Sequence, residues 1–178
     1  HPTGRAAAPR SRRTSPGGRR SHRLTNGGGT AADVIVRPET PADYTGIDRL
    51  QLAAFDDPQI PPLIAAIRAS AGYLPDLSLV AERRVGDAAQ VVAHLMVSQT
   101  ELVDSDGGSL PILMLSPLGV APAAQGVGIG ARLTRAALAV ADERAEPVMV
   151  VQGHPGYYPR FGFVRARTLG ILPPEHLP

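Results

Sequence analysis

The chain contains no cysteine, no tryptophan and no lysine. Without cysteine there are no disulfides, no thiolate metal ligands and no cysteine nucleophile. Without lysine there is no Walker-type phosphate loop, which needs Gly-Lys-Ser/Thr. No run of apolar residues reaches the ~18–20 needed to span a bilayer, because Pro and Gly interrupt the longest ones. No His, Asp or Glu grouping has the spacing of a metal site. These absences lead to the expectation of a soluble, cytoplasmic protein with no resident metal and no membrane partner. All 18 basic residues are Arg, among abundant Ala, Gly and Pro, which suggests a GC-rich bacterial gene.

What is present suffices for one domain. The 178 residues are 43% apolar, enough to bury a core and few for two domains. Charge is unevenly distributed. Residues 1–32 hold seven Arg and no acid, whereas residues 33–178 hold eleven Arg against sixteen acids, a formal charge of −5. Residues 1–32 are expected to be a disordered extension, since their apolar content cannot offset the entropy of ordering. Clustered Arg could neutralise phosphates, but no aromatic residue interleaves with them to stack on bases. A nucleic-acid partner is therefore the alternative for this arm, as is a transit peptide, and a plain extension is the expectation.

From residue 33 onward the pattern alternates strands and helices. Val34–Pro38 reads as a strand. Thr40-Pro41-Ala42-Asp43 is a helix start, with Ile47, Leu50, Ala54 and Phe55 on one face. Residues 60–70 read as a second helix with Leu63, Ile64 and Ile67 inward. Leu77–Glu82 and Gln90–Ser98 form a strand pair about Gly86-Asp87, and Ile112–Val120 is a third strand. Gly130–Ala145 reads as a helix and Pro147–Gln152 as a buried strand. The order implies a mixed α/β or α+β domain over residues 33–178.

The segment from Leu115 to Gly130 carries the chemistry. A strand enters a turn with glycines at 126, 128 and 130, and a helix begins at once. Glycines there let the backbone approach a ligand closely, and free N–H groups at a helix start favour an anion. The spacing differs from a dinucleotide fingerprint. A Gly-rich turn without a ligand is the alternative.

Gln125-x-x-Gly128-x-Gly130, approached through Leu118-Gly-Val120-Ala-Pro122, resembles the Arg/Gln-x-x-Gly-x-Gly/Ala signature of the GNAT N-acetyltransferases. Tyr157-Tyr158-Pro-Arg-Phe-Gly162-Phe163 resembles that family's Phe-Tyr-x-x-x-Gly-Phe segment, and Gly153-His154-Pro155 before it is similar to a bacterial subgroup. The resemblance implies a mostly antiparallel sheet flanked by helices, splayed between two central strands to hold acetyl-CoA. It places the pyrophosphate on Gln125, Gly126, Val127, Gly128, Ile129 and Gly130. It places the pantetheine arm and acetyl carbonyl on backbone groups of Leu118, Gly119 and Val120. The implied reaction is direct attack of a primary amine, on a small molecule or peptide, within a ternary complex. Tyr158 is the implied general acid, and His154 a candidate base. A homodimer is compatible with this reading. A catalytically inactive acyl-CoA-binding protein is the alternative.

Other candidates have plainer readings. His94 lies in an apolar strand and reads as a core histidine. Glu39, Asp56 and Asp57 could draw an ammonium but read as solvated carboxylates. Ser116 could relay a proton or bond to backbone. The family continues with more sheet than Val164–Pro178 allows, so the last strand is expected to be short or absent.

Overall fold

The computed structural model describes residues 30–173. Five strands form one sheet in chain order: β1 (Val34–Pro38), β2 (Tyr73–Val85), β3 (Ala88–Val103), β4 (Ser109–Val120) and β5 (Met149–Val151). The first four pair antiparallel, and β5 joins β4 in parallel. Helices α1 (Tyr44–Phe55) and α2 (Ile60–Arg68) connect β1 to β2, and α3 (Ile129–Ala141) connects β4 to β5. Among the described residues no helix is long and apolar enough to cross a membrane.

Local chemistry explains the joints. Gly86, at φ +64°, turns β2 into β3 so that Val85 pairs with Ala88; two-residue turns of this hand suit the twist of the flanking strands. The Thr40 amide donates to the Asp43 carboxylate at 2.7 Å, and the Asp43 amide returns a bond to the Thr40 carbonyl at 2.9 Å. Arg37 grips both oxygens of that carboxylate at 2.8 and 2.9 Å, and this pulls Asp43 down to about 2.

Alternation along the strands separates two cores. On one face α3 lays Ile129, Leu133 and Ala137 against Leu79, Ala81, Leu95, Leu113 and Leu115. On the other, Ile47 and Ile64 meet Val80 and Met96. Each such fully buried aliphatic contributes about 1.5–3 kcal/mol relative to leaving it in water.

Several expectations shift. The third helix runs Ile129–Ala141 with Gly128 as its cap, shorter at its C-terminal end than expected, and β5 has three residues. Phe55 and Leu63 are 45% and 44% exposed. Phe55 ends α1 just before Asp56 turns left-handed at φ 52°, which points it off the core. The buried stripe of α2 runs through Ile60, Ile64 and Ile67, leaving Leu63 beside it. Beyond β5 the described residues form only 3-10 turns, at Tyr158–Phe161 and Ala166–Leu169, so β5 is an edge strand. At the other end Ala31–Asp33 forms a 3-10 turn, and Arg132 donates to the Ala31 carbonyl at 2.6 Å. Thr30–Ala32 thus belongs with the described fold, and the expected disorder of residues 1–29 lies outside the described residues.

Candidate active site

The site begins with a miscount between β3 and β4. Leu95 pairs with Leu118 and Val97 with Leu115, so β4 carries one extra residue at Ser116-Pro117. Such a bulge reverses which neighbour each following residue faces. Before it, the Leu113 amide donates toward β5, to the Val148 carbonyl at 2.9 Å. After it, the Ala121 amide donates toward β3, to the Val92 carbonyl at 2.9 Å. Period-two alternation then turns Gly119 toward β3, and the amides of Leu118 and Val120 to the opposite side. There β5 has already ended, because it pairs only as far as Leu115. The result is a splay between β4 and β5.

This splay opens into a cleft of about 790 Å³, lined by Ser116–Val120 of β4, the glycine loop, and residues 152–154 and 156–158. The loop takes the backbone shape that glycine permits: Gly126 and Gly128 have φ +77° and +88°, where other residues are strained. Gly128 caps α3, so the first amides of that helix face the cleft without intrahelical partners. The Gln125 side chain donates to the Val120 carbonyl at 3.0 Å and braces the loop on the strand. Gly130 sits close-packed, since a Cβ there would stand 3.0 Å from the Tyr157 hydroxyl and 3.3 Å from Val120.

The two tyrosines after β5 form the facing wall. Tyr158 is half-buried with its ring edge-on to Tyr157 at 5.0 Å and to Phe163 at 5.7 Å. Gly153 leaves room for that ring; a Cβ there would collide with it. Burial pushes the Tyr158 hydroxyl above its ordinary pKa, so it stays protonated at neutral pH. The Tyr157 hydroxyl is buried without a hydrogen-bond partner among the described residues, and Arg160 lies over its ring at 4.7 Å. His154 is exposed on the same wall, its Nδ1 accepting the Gly156 amide at 3.2 Å.

The remaining candidates separate. Ser116 is half-buried and lines the cleft, as do Ala54 and Phe55 of α1. Asp56 and Asp57 follow Phe55 in the chain but are not among the cleft-lining residues, and Asp57 accepts the Gln59 amide at 2.9 Å. Glu39 is no solvated carboxylate: its side chain is fully buried, because its amide bonds the Ser78 carbonyl at 2.8 Å and ties it to β2. It accepts from Arg68 at 2.9 and 2.7 Å, from the Tyr73 hydroxyl at 2.9 Å and from His94 at 3.2 Å. Burial pushes its pKa up, and the bonds from His94 and Arg68 more than reverse this, leaving it well below the usual carboxylate range. Burial holds His94 below its ordinary value, against the pull of Glu39, so it is neutral and core-bound. Gln51 of α1, missed from sequence, bonds His94 Nδ1 at 2.7 Å. Its signal was a polar residue four positions after Ile47 on an apolar face. Tyr157 and Arg160 were also passed over, as neighbours of the more conspicuous Tyr158.

A loop of helix-capping amides continuous with free strand amides, under a wall of tyrosines, defines a site for an extended anionic ligand. No family model matches the chain. It is 32% identical over 130 residues, 73% of each chain, to a protein of Escherichia coli K12 named as an uncharacterised N-acetyltransferase, YhbS. A GNAT family acetyltransferase of Brucella melitensis, solved with acetyl-CoA, is 34% identical and superposes with a TM-score of 0.63 over 74% of this chain and 83% of that one. E. coli YhbS, solved with CoA, is 29% identical with a TM-score of 0.64 over 76% and 71%. The chain belongs to the GNAT family of N-acetyltransferases.

Proposed function

We propose that this protein moves an acetyl group from acetyl-CoA to a primary amine, by direct attack while both are bound. The observation that carries this is the splay after the β4 bulge, with unpaired amides of Leu118 and Val120 running into the Gly126–Gly130 loop. The residues present fit the donor. Helix-capping amides at Gly128–Gly130 suit its pyrophosphate, and free strand amides suit its extended arm. The relatives solved with acetyl-CoA and CoA support this assignment.

The chain's groups then have definite tasks. The Leu118 and Val120 amides hold the thioester carbonyl and stabilise negative charge as it develops on that oxygen. The amine nitrogen forms a bond to the carbonyl carbon, and the carbon–sulfur bond breaks. Tyr158 gives its proton to the departing sulfur, which suits a phenol kept protonated by burial. The surplus proton of the amine passes to His154 or to water in the open cleft. The Arg-rich start is read from its composition alone as an accessory extension. The expected bacterial cytoplasmic setting is part of the proposal, and the relatives named above are bacterial.

Thermal denaturation with and without acetyl-CoA tests the site. The ligand should raise the midpoint of the wild type by mass action, and Gly128→Asp should abolish that rise by adding a charge where phosphate must approach. An undiminished rise in the variant would reject the loop. Release of free thiol with spermidine, kanamycin or a tripeptide with a free N-terminus tests transfer itself.

A further inference from the structure

The cleft has two sides, and they differ in charge. Leu118 and Val120 turn their side chains toward the core under α3. Gly119 between them faces the other way, and a Cβ there would collide with Gln51 of α1. The glycine loop opens α3, so the donor's pyrophosphate belongs on the α3 side of β4. A thioester held by the Leu118 and Val120 amides then has its free approach from the side of α1 and α2.

That side is apolar. Ala54 and Phe55 end α1, Ile60 opens α2, and all three line the cleft. Leu52 lies one turn before Phe55 and Leu63 one turn after Ile60; Leu52, Phe55 and Leu63 are all exposed. Apolar groups exposed together beside a cleft mark a binding surface. Among the described residues that line the cleft there is no Asp and no Glu. Asp56 follows Phe55 with a left-handed φ of 52°, Asp57 spends an oxygen on the Gln59 amide, and neither reaches the lining. The one Arg among those residues, Arg160, lies over the ring of Tyr157, whose hydroxyl touches the start of α3 at Gly130. That cation sits at the phosphate end of the cleft.

We propose that the acceptor is a monoamine on an apolar body: an alkyl or aryl chain seated on Ala54, Phe55 and Ile60, with no second cation. Apolar contact binds such a chain as it leaves water. A second ammonium in its place would lose hydration with no carboxylate to receive it. This rests on the acyl-transfer reading above and adds the class of amine.

The test uses the full chain, acetyl-CoA and two amines of equal length, hexylamine and cadaverine, in which a terminal methyl and a second ammonium exchange places. The wild type should acetylate hexylamine with a kcat/KM at least about tenfold above that for cadaverine, the scale on which apolar pockets discriminate. Spermidine and kanamycin, which are polycations, should rank with cadaverine. Phe55→Ala should cost hexylamine about tenfold in kcat/KM, with KM for acetyl-CoA changed less than twofold. Phe55→Glu sets a carboxylate on the same wall and should bring the two amines to within about twofold or reverse their order. Both substitutions fall at an exposed helix end, and the wild-type comparison needs neither. A wild type that prefers cadaverine or spermidine overturns the proposal and leaves acyl transfer standing. So does a preference that Phe55→Glu leaves unchanged, or a Phe55→Ala loss confined to KM for acetyl-CoA. If the wild type binds acetyl-CoA but acetylates no amine, the transfer reading fails, and the acceptor class with it.

Discussion

The two faces of the sheet are built on different principles. The face under α3 is mainly aliphatic, and its contribution to the cleft comes mainly from peptide groups of the glycine loop. The face under α1 and α2 buries a carboxylate, a guanidinium, an imidazole and an amide among Ile47, Ile64, Val80 and Met96. Aliphatic packing tolerates change in proportion to the volume removed. A buried ionic cluster tolerates almost none, because losing one member strands the others. The first face secures the fold, and the second fixes orientations.

The largest effect should fall on chemistry between the faces. Tyr158→Phe removes one hydroxyl and little volume. Turnover should fall by about 10²–10⁴, the usual worth of a positioned acid, while the acetyl-CoA-induced rise in midpoint survives. Wild-type turnover in a stable variant would make Tyr158 a packing residue and leave the loop standing.

The contrast itself is broken by paired substitutions, one on each face. Glu39→Gln should cost about 3–5 kcal/mol, because it removes the charge opposite the nearly buried Arg68 guanidinium and turns one acceptor oxygen into a donor. Leu133→Ala on the aliphatic face should cost about 2–5 kcal/mol. Urea denaturation measures both. A Glu39→Gln protein of wild-type stability would mean that the cluster is hydrated in solution.

Acid separates the faces more gently. His94 is held below its ordinary value, so the unfolded chain takes up a proton near pH ~6.5 that the folded chain refuses. Its contribution to stability is complete above that pH and is lost as pH falls toward the folded value, at up to ~1.4 kcal/mol per unit. Glu39 is also held low, and its contribution is lost further down, below the carboxylate range of the unfolded chain. The melting temperature should therefore decline between pH 7 and 5, and His94→Asn should flatten that limb. An unchanged limb in the variant would assign the decline to other groups.

The smallest effect belongs to the Arg-rich start. Deleting residues 1–29 should shift stability by less than about 0.5 kcal/mol, because their composition offers too little apolar area to offset ordering. Deleting residues 1–32 should cost more, because it removes the Ala31 carbonyl bonded by Arg132. Equal costs would show that this contact contributes nothing.

The faces also differ in how legible they were. Much of the loop side was written locally: alternating glycines, a strand running into a helix, and Tyr158 four residues before Gly162. Strand order followed from short turns such as Gly86-Asp87. The α1 side was not readable, because its pairings join residues far apart in sequence. Gln51 reaches His94 across 43 positions and Arg68 reaches Glu39 across 29, and nothing near Glu39 announces that β2 will bury it. The bulge was hidden for a related reason, since Ser116-Pro117 interrupts an apolar run without revealing which partner it miscounts against.

That miscount sets what can drift in this protein. The groups that β4 presents to the cleft are amides, and every residue except proline supplies one. The direction of those amides therefore depends on strand length, while the Leu118 and Val120 side chains pack against the core. One residue removed from Ser116-Pro117 would rotate those amides toward β3 and close the opening, whatever side chains followed.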